Sequence, residues 1–234
     1  MARKKTRWRW TRRILGLLVL AVLAYQGWIA AHIWWWVDHN PASSAFMDTR
    51  LETLQENNPH AKLHHKWVPY RAISDNLKRA LITAEDAKFV DHDGFDWEGI
   101  ALAYEKDRKK GRIVAGGSTI SQQLAKNLFL STRRTPWRKG EEVLITVMLE
   151  HIMDKRRIFE IYLNVIEWGN GIFGAEAAAR HYFGVSAAAL SPEQAAKLAA
   201  MVPNPRYYDT HRDAPGLMRK TAIILDNMPY ADIP

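Results

Sequence analysis

The chain contains no cysteine, so it forms no disulfide and offers no thiolate to a metal. That absence leaves the compartment open, because an oxidising space does not oblige a protein to use disulfides. Residues 1–13 contain no Asp or Glu, and Ile14–Val37 contains no Asp, Glu, Lys or Arg. No stretch of useful length alternates apolar and polar residues as a half-buried strand would, and no internal repeat or low-complexity segment is apparent. Excess positive charge on the body of the chain is missing too. The formal charge is +8, but seven of the 33 basic side chains (Arg3, Lys4, Lys5, Arg7, Arg9, Arg12 and Arg13) lie in the first 13 residues, and the others nearly balance the 25 acids. A general polyanion binder needs its charge on the folded domain, so no nucleic-acid partner is expected.

The uncharged run from Ile14 to Val37 is 24 residues long, enough to cross a bilayer as a tilted helix. A cleavable signal fits less well, since the run is too long and leads into Trp34-Trp35-Trp36 without a small-residue cleavage pattern. Six of the ten tryptophans fall in the first 36 residues. Tryptophan prefers the membrane interface, which makes the triple the expected outer anchor. The basic block orients the span by the positive-inside rule, with the N-terminus cytoplasmic and everything after residue 38 outside, in a periplasm or its equivalent. His32 lies inside the run but near its end, where a neutral imidazole is tolerated. The expected organisation is therefore a basic tail (1–13), a transmembrane helix (14–37), a linker with a marginal helix (38–60) and one domain (61–230).

Within that domain, Ile73, Leu77, Ala80, Leu81 and Ala84 recur with helical spacing, opening after Ser74 and ending on Glu85-Asp86. A carboxylate at Glu85 meets the negative end of the helix dipole and a neighbouring acid, and both raise its pKa toward that of a general acid or base. An ordinary charged helix end fits the same pattern. The following Phe89-Val90-Asp91-His92-Asp93-Gly94-Phe95-Asp96-Trp97 suggests a loop folding back onto the helix, with His92 and its acids in no standard metal-ligand spacing. Residues 105–114 are charged with a basic excess and read as a solvated loop or as a segment lying on anionic head groups. Gly116-Gly117 then turns into Ser118-Thr119-Ile120-Ser121-Gln122-Gln123-Leu124-Ala125-Lys126-Asn127, where Thr119-x-x-Gln122 has capping-box spacing. The free N–H groups of such a helix end can receive a phosphate or carboxylate, and Gln122, Lys126, Gln123 and Asn127 form a polar wall along it. A solvated surface helix is the plainer alternative.

A break at 131–136 carries Arg133 and Arg134. The next helix has Leu144, Ile145, Met148, Leu149 and Ile152 on one face, with Glu141 toward the centre of that face and Glu142 at its edge. Either could be functional, and pattern does not choose. Further helices follow around Ile158–Val165, the alanine-rich stretch to Gly184, and Ser191-Pro192-Glu193-Gln194, a cap with Pro at the first position; Pro203-Asn204-Pro205 ends the last. The domain is expected to be mainly α.

In order along the chain, Glu85-Asp-Ala-Lys-Phe89…His92-Asp-Gly94-Phe95-Asp96, Gly116-Gly-Ser-Thr-Ile-Ser-Gln-Gln-Leu-Ala-Lys-Asn127, Arg138-Lys-Gly-Glu-Glu142, Lys155-x-x-Ile158-x-Glu160-x-Tyr162-Leu-Asn164 and Arg180-x-Tyr182-Phe183 closely resemble the five motifs of the peptidoglycan glycosyltransferases. This is glycosyltransferase family 51, whose domain also occurs in class A penicillin-binding proteins. The resemblance spans roughly residues 60–210, and the single anchor with a single domain is similar to the monofunctional members.

The resemblance implies a lysozyme-like α-helical domain that polymerises lipid II, a disaccharide-pentapeptide on undecaprenyl pyrophosphate, with the growing lipid-linked glycan as donor. It makes Glu85 the general base toward the acceptor 4-hydroxyl, and displacement at C1 then inverts an α-linked donor to a β(1→4) bond. It selects Glu142 over Glu141 as the second essential acid, orienting the pyrophosphate end or positioning a divalent cation; an acid at Glu141 is not required by the family. Lys126 and Arg134 are the implied clamps on the leaving pyrophosphate, whose developing charge needs cations and oriented donors. Ser118, Gln122, Gln123 and Arg138 are supporting contacts, and Asp86, Phe89, His92 and Asn127 complete the implied substrate-binding set. A capping role for Gln122 would make it structural. Glu160, Tyr162, Asn164, Arg180 and Tyr182 hold the fold, with substrate contact open for Asn164 and Arg180. No metal site and no obligatory cofactor are implied; a divalent cation (Mg or Mn) at the pyrophosphate is allowed. Partners are lipid II, the cytoplasmic membrane and, by family, cell-wall elongation or division proteins. Tethering beside lipid substrates raises their effective concentration.

A lysozyme-like hydrolase or lytic transglycosylase, or a membrane-anchored scaffold of the wall machinery, competes with this reading. Ser74-Asp75-Asn76 mimics a transpeptidase motif, but the chain has no Ser-x-x-Lys to supply its nucleophile.

Overall fold

The computed structural model of the protein describes residues 2–111, 117–130 and 136–234. Helix α1 spans Ala2–Trp35, so the basic block and the apolar run form one continuous helix. Its Trp10–Trp35 portion is long and apolar enough to cross a membrane, with a mean hydropathy of 2.1. The helix stops two residues before the expected Val37, and its last turns are not lipid-facing all round. Ile29 and Ile33 are fully buried, and Trp28 and Trp36 flank Phe129 at 6.3 and 5.3 Å between ring centroids. The tryptophan triple is thus divided: Trp34 and Trp35 are exposed, whereas Trp36 packs inward. Arg157 Nε donates to Trp36 O at 2.8 Å and Arg157 Nη2 to Asn40 Oδ1 at 3.0 Å, tying the end of α1 to the domain.

The expected linker carries a well-formed helix, α2 (Ala45–Asn57), capped by Ser44, which accepts from Met47 N–H. Met47 is buried and Arg50 pairs with Glu167 at 2.9 Å, so α2 belongs to the domain. Local propensity there is modest; docking supplies the stability. Helix α3 (Asp75–Glu85) opens where expected, with Ser74 accepting from Leu77 N–H. Helix α4 (Trp97–Lys110) is capped by Asp96 and ends at Gly111, whose φ is +62°. The charged stretch from residue 105 is therefore the end of a helix as far as Lys110; residues 112–116 lie outside those described.

Helix α5 (Ile120–Phe129) has the full capping box of Thr119 and Gln122. Then come α6 (Pro136–Ile152), α7 (Lys155–Val165), α8 (Ala175–Phe183), α9 (Pro192–Met201), α10 (Pro205–Thr210) and α11 (Pro215–Asn227). Ser191 and Gln194 form the second capping box, on α9. Beside the helices, β1 (His64–His65), β2 (Glu167–Gly169) and β3 (Ile172–Phe173) make a small sheet in the order β1-β3-β2, with β1 parallel and β2 antiparallel to β3. Sequence periodicity gave no sign of it, because strands of two or three residues are too short to alternate.

The core consists of α5 packed on α6 and α7, and of α3 packed on α9 and α11. Helix α6 is rotated from the expected orientation. Glu142, Ile145, Thr146 and Leu149 are buried while Leu144 is half exposed, so Glu142 takes the inward position assigned to Glu141. The periodicity misled because α6 has two apolar sides: one meets α5, and the other faces α1 across a cleft lined by Leu18, Val22, Tyr25, Trp137 and Leu144. Glu141 faces the second side, hydrogen-bonded to the Tyr25 side chain.

Candidate active site

Glu85 is the last residue of α3, and the end of that helix points at α5 and α11. Its side chain is 11% exposed. Oε2 accepts from Gln123 Nε2 at 2.9 Å, and Lys220 Nζ of α11 stands 3.6 Å from Oε1. Burial raises the pKa of Glu85, opposed by the Lys220 charge, the Gln123 hydrogen bond, the donor contact of Lys220 and the Lys126 charge. The direction is the one expected from sequence, and its largest cause is desolvation. Gln123 is held by a second bond: Tyr162 Oη donates to its Oε1 at 3.0 Å. Tyr162 is completely buried, and burial raises its phenol pKa well above the usual value, with Glu85 and Asp86 adding to the effect. The phenol therefore remains a donor, which obliges Gln123 to turn its NH₂ toward Glu85.

The N-terminus of α5 does not serve as the open anion receptor its sequence suggests. Thr119 N–H donates to Gln122 Oε1 (3.0 Å), Ile120 N–H to Asp86 Oδ2 (2.9 Å) and Gln122 N–H to Thr119 Oγ1 (3.2 Å). The protein's own groups satisfy those donors. Asp86 is thus a bracket: its Oδ1 also bonds His92 Nε2 at 2.9 Å, while His92 Nδ1 accepts from Gly94 N–H at 3.1 Å. Thr119 Oγ1 donates to Gly94 O at 2.7 Å, completing the clamp between the returning loop and α5. Gly94 has φ +89°, and a Cβ there would lie 2.8 Å from Thr146 Cγ2, so both backbone and space require glycine.

Two clefts meet at Ser118. The first runs past Glu85, Asp86, Asp96, Gly99, Gly117 and Thr119. The second is lined by Phe46, Gln122, Gln123, Lys126, Arg138, Lys139, Glu142 and Arg206, and its charges are four cations against one carboxylate. Lys126 is mostly buried and has no ion pair among the described residues. Burial lowers its pKa, with Glu142 opposing and Arg138 and Lys139 adding to the decrease. Glu142, 3% exposed, is engaged by Lys139 Nζ and lies 3.5 Å from Arg138 Nη1.

The structure brings Glu85, Asp86, Ser118, Gln122, Gln123, Lys126, Arg138 and Glu142 around the two clefts. Phe89, His92 and Asn127 take supporting places instead. Phe89 is fully buried against Phe159, His92 holds Asp86, and Asn127 donates to Gln123 O at 2.7 Å. Gln122 lines the cleft with an amide already committed to the capping box. Asn164 is a buried staple bonded to Val68 N–H and Val68 O, and Arg180 pairs with Glu176 at 3.1 Å. Arg134 lies outside the described residues. Sequence reasoning passed over Lys139, Arg206 and Lys220. Only Lys139 left a signal, its i,i+3 spacing to Glu142.

The family profile described as Transglycosylase matches residues 50–229. The chain belongs to the transglycosylase family. The "Biosynthetic peptidoglycan transglycosylase" of Chromobacterium violaceum is 68% identical over 222 residues, covering 95% of this chain and 97% of that protein. Proteins of the same name are similarly close: that of Methylobacillus flagellatus is 69% identical (95% and 97% covered), and that of Laribacter hongkongensis 65% (97% and 99%). The mainly α architecture of this transglycosylase is the lysozyme-like one its motifs imply.

Proposed function

We propose that this transglycosylase polymerises lipid II into β(1→4)-linked glycan at the outer face of the cytoplasmic membrane, with Glu85 as general base. The observation that carries the reading is a buried carboxylate of raised pKa whose cleft opens, at Ser118, onto a cleft with a mostly buried lysine that makes no ion pair among the described residues. Acid–base work and a polyanionic leaving group need those two environments side by side. The acceptor's 4-hydroxyl gives its proton to Glu85 as its oxygen attacks C1 of the donor. The C1–O bond to the lipid pyrophosphate breaks, and Lys126, Arg138, Lys139 and Arg206 receive the departing charge, with Arg134 as a further clamp. Glu142 orients Arg138 and Lys139 rather than transferring a proton.

Among the described residues no group of three or more His, Cys, Asp or Glu side chains could hold a metal by itself; a divalent cation carried on the pyrophosphate would find one carboxylate in that cleft, Glu142, which Arg138 and Lys139 already share. Protein cations supply the neutralisation in this reading.

One N-terminal helix anchors the chain to a membrane; the basic block favours an inward N-terminus and an outward domain. Purified protein given labelled lipid II in detergent is expected to make polymer that lysozyme digests, and Glu85→Gln to make none. Cutting of pre-made glycan without polymer formation would move the protein to the hydrolases, and polymer-independent function surviving Glu85→Gln and Glu142→Gln would make it a scaffold.

A further inference from the structure

We propose that Lys220, on the last long helix and 135 residues along the chain from Glu85, is the positioning residue that keeps Glu85 ionised while leaving one of its oxygens free to take the acceptor's proton. The inference rests on Glu85 being the base. A base must be charged before it acts, and Glu85 is buried in a site that penalises its charge. Its Oε2 is occupied by Gln123. Oε1 is buried and accepts no hydrogen bond among the described residues. Lys220 Nζ stands 3.6 Å from Oε1, just beyond ordinary hydrogen-bond length, where its charge and its weak donor contact both favour the anion while leaving the oxygen without a close partner. A tight ammonium bond to Oε1 would lower the basicity further and block the proton's destination.

The other titratable groups facing Glu85 do not fill this role. Lys126 on α5 belongs to the cationic cleft, Tyr162 on α7 stays neutral, and the adjacent Asp86 is committed to Ile120 N–H and His92. On α9, which also packs against α3, Lys197 pairs with Asp213 at 3.6 Å. Lys220 is 35% exposed, so its ammonium keeps contact with water. As the proton passes from the acceptor hydroxyl to Oε1, the negative charge passes to the leaving pyrophosphate, and Lys220 neither gains nor loses a proton.

The plainer role for this pair is a tie between α11 and α3, and pH profiles separate the two. For Lys220→Met, the acid limb of kcat should move to higher pH by about one unit, as expected for loss of an opposite charge within ~4–6 Å of a carboxylate. Activity on that limb would fall about tenfold, recover toward the alkaline plateau, and leave KM for lipid II little changed. Lys220→Arg, which restores the charge, should return the limb toward that of the unaltered protein. Thermal melting of both variants and of Lys220→Gln monitors the fold. A limb that stays in place in folded Lys220→Met or Lys220→Gln, or a loss equal at every pH, overturns the proposal. Glu85→Gln run in parallel distinguishes the levels: if it retains polymerisation, the base assignment fails and this inference with it, whereas an inactive Glu85→Gln beside an unshifted Lys220→Met rejects Lys220 alone.

Discussion

The two sides of α5 solve opposite electrostatic problems. On the side facing α3, α7 and α11, Glu85, Gln123 and Tyr162 form a buried relay in which the phenol fixes the amide and the amide fixes the carboxylate. On the side facing α6 and α10, Lys126 is buried but Lys139 and Arg206 are 51% and 58% exposed at their side chains. A proton acceptor gains from a dry setting that raises its pKa and fixes its geometry. A site for a charged group arriving from the bilayer surface gains from cations that stay hydrated until the ligand displaces water. Burial sets the first side, and accumulated charge sets the second.

Removing the carboxylate from the dry side breaks the comparison most severely. Glu85→Gln is expected to lower kcat by about 10²–10⁴ while raising the melting temperature at neutral pH. The sign follows from the raised pKa: the fold favours the protonated acid, so ionisation costs stability as pH climbs from the unfolded to the folded value. The stability gain of the Gln variant should vanish when melting is repeated below the ordinary carboxylate range, near pH ~3; a gain that persists there would contradict the burial argument.

Next in size is Lys126→Met, which strips the cationic cleft of its buried member and should cost about 10²–10³ in kcat, as single-turnover rates would show. Tyr162→Phe sharpens the account of the relay. It should cost about 1 kcal/mol in urea unfolding and slow catalysis without altering KM, since Gln123 loses only the bond that selects its orientation. The smallest effect is expected for Arg206→Ala: a few-fold rise in KM at low salt that fades near 0.15 M, where charges more than ~8 Å apart are screened. Kinetics at two ionic strengths would check it, and a salt-independent loss would place Arg206 on the dry side.

Much of this was legible in the chain because the signals are local. Ser74, Thr119 with Gln122, and Ser191 with Pro192 and Gln194 fixed three helix starts, and side-chain-to-backbone bonds three residues apart need no tertiary help. The span was equally plain, being a matter of length and charge. Less was legible where two neighbours compete for one element. Helix α6 is apolar toward α5 and toward α1, so periodicity could not rank Glu141 against Glu142. The resemblance chose Glu142, which is the one buried in the cationic cleft.

By itself, then, the sequence determined the single span, the capped helices and a carboxylate at a helix end beside a polar helix, since each depends on residues within a few turns of one another. Tertiary structure decided that the α5 N-terminus is closed by Asp86, that Phe89, His92 and Asn127 stand behind the site, and that Lys220 and Arg206 reach it. Those outcomes depend on how α3, α9 and α11 pack. Burial of their apolar faces, not any local pattern, brings Lys220 to within 3.6 Å of Glu85.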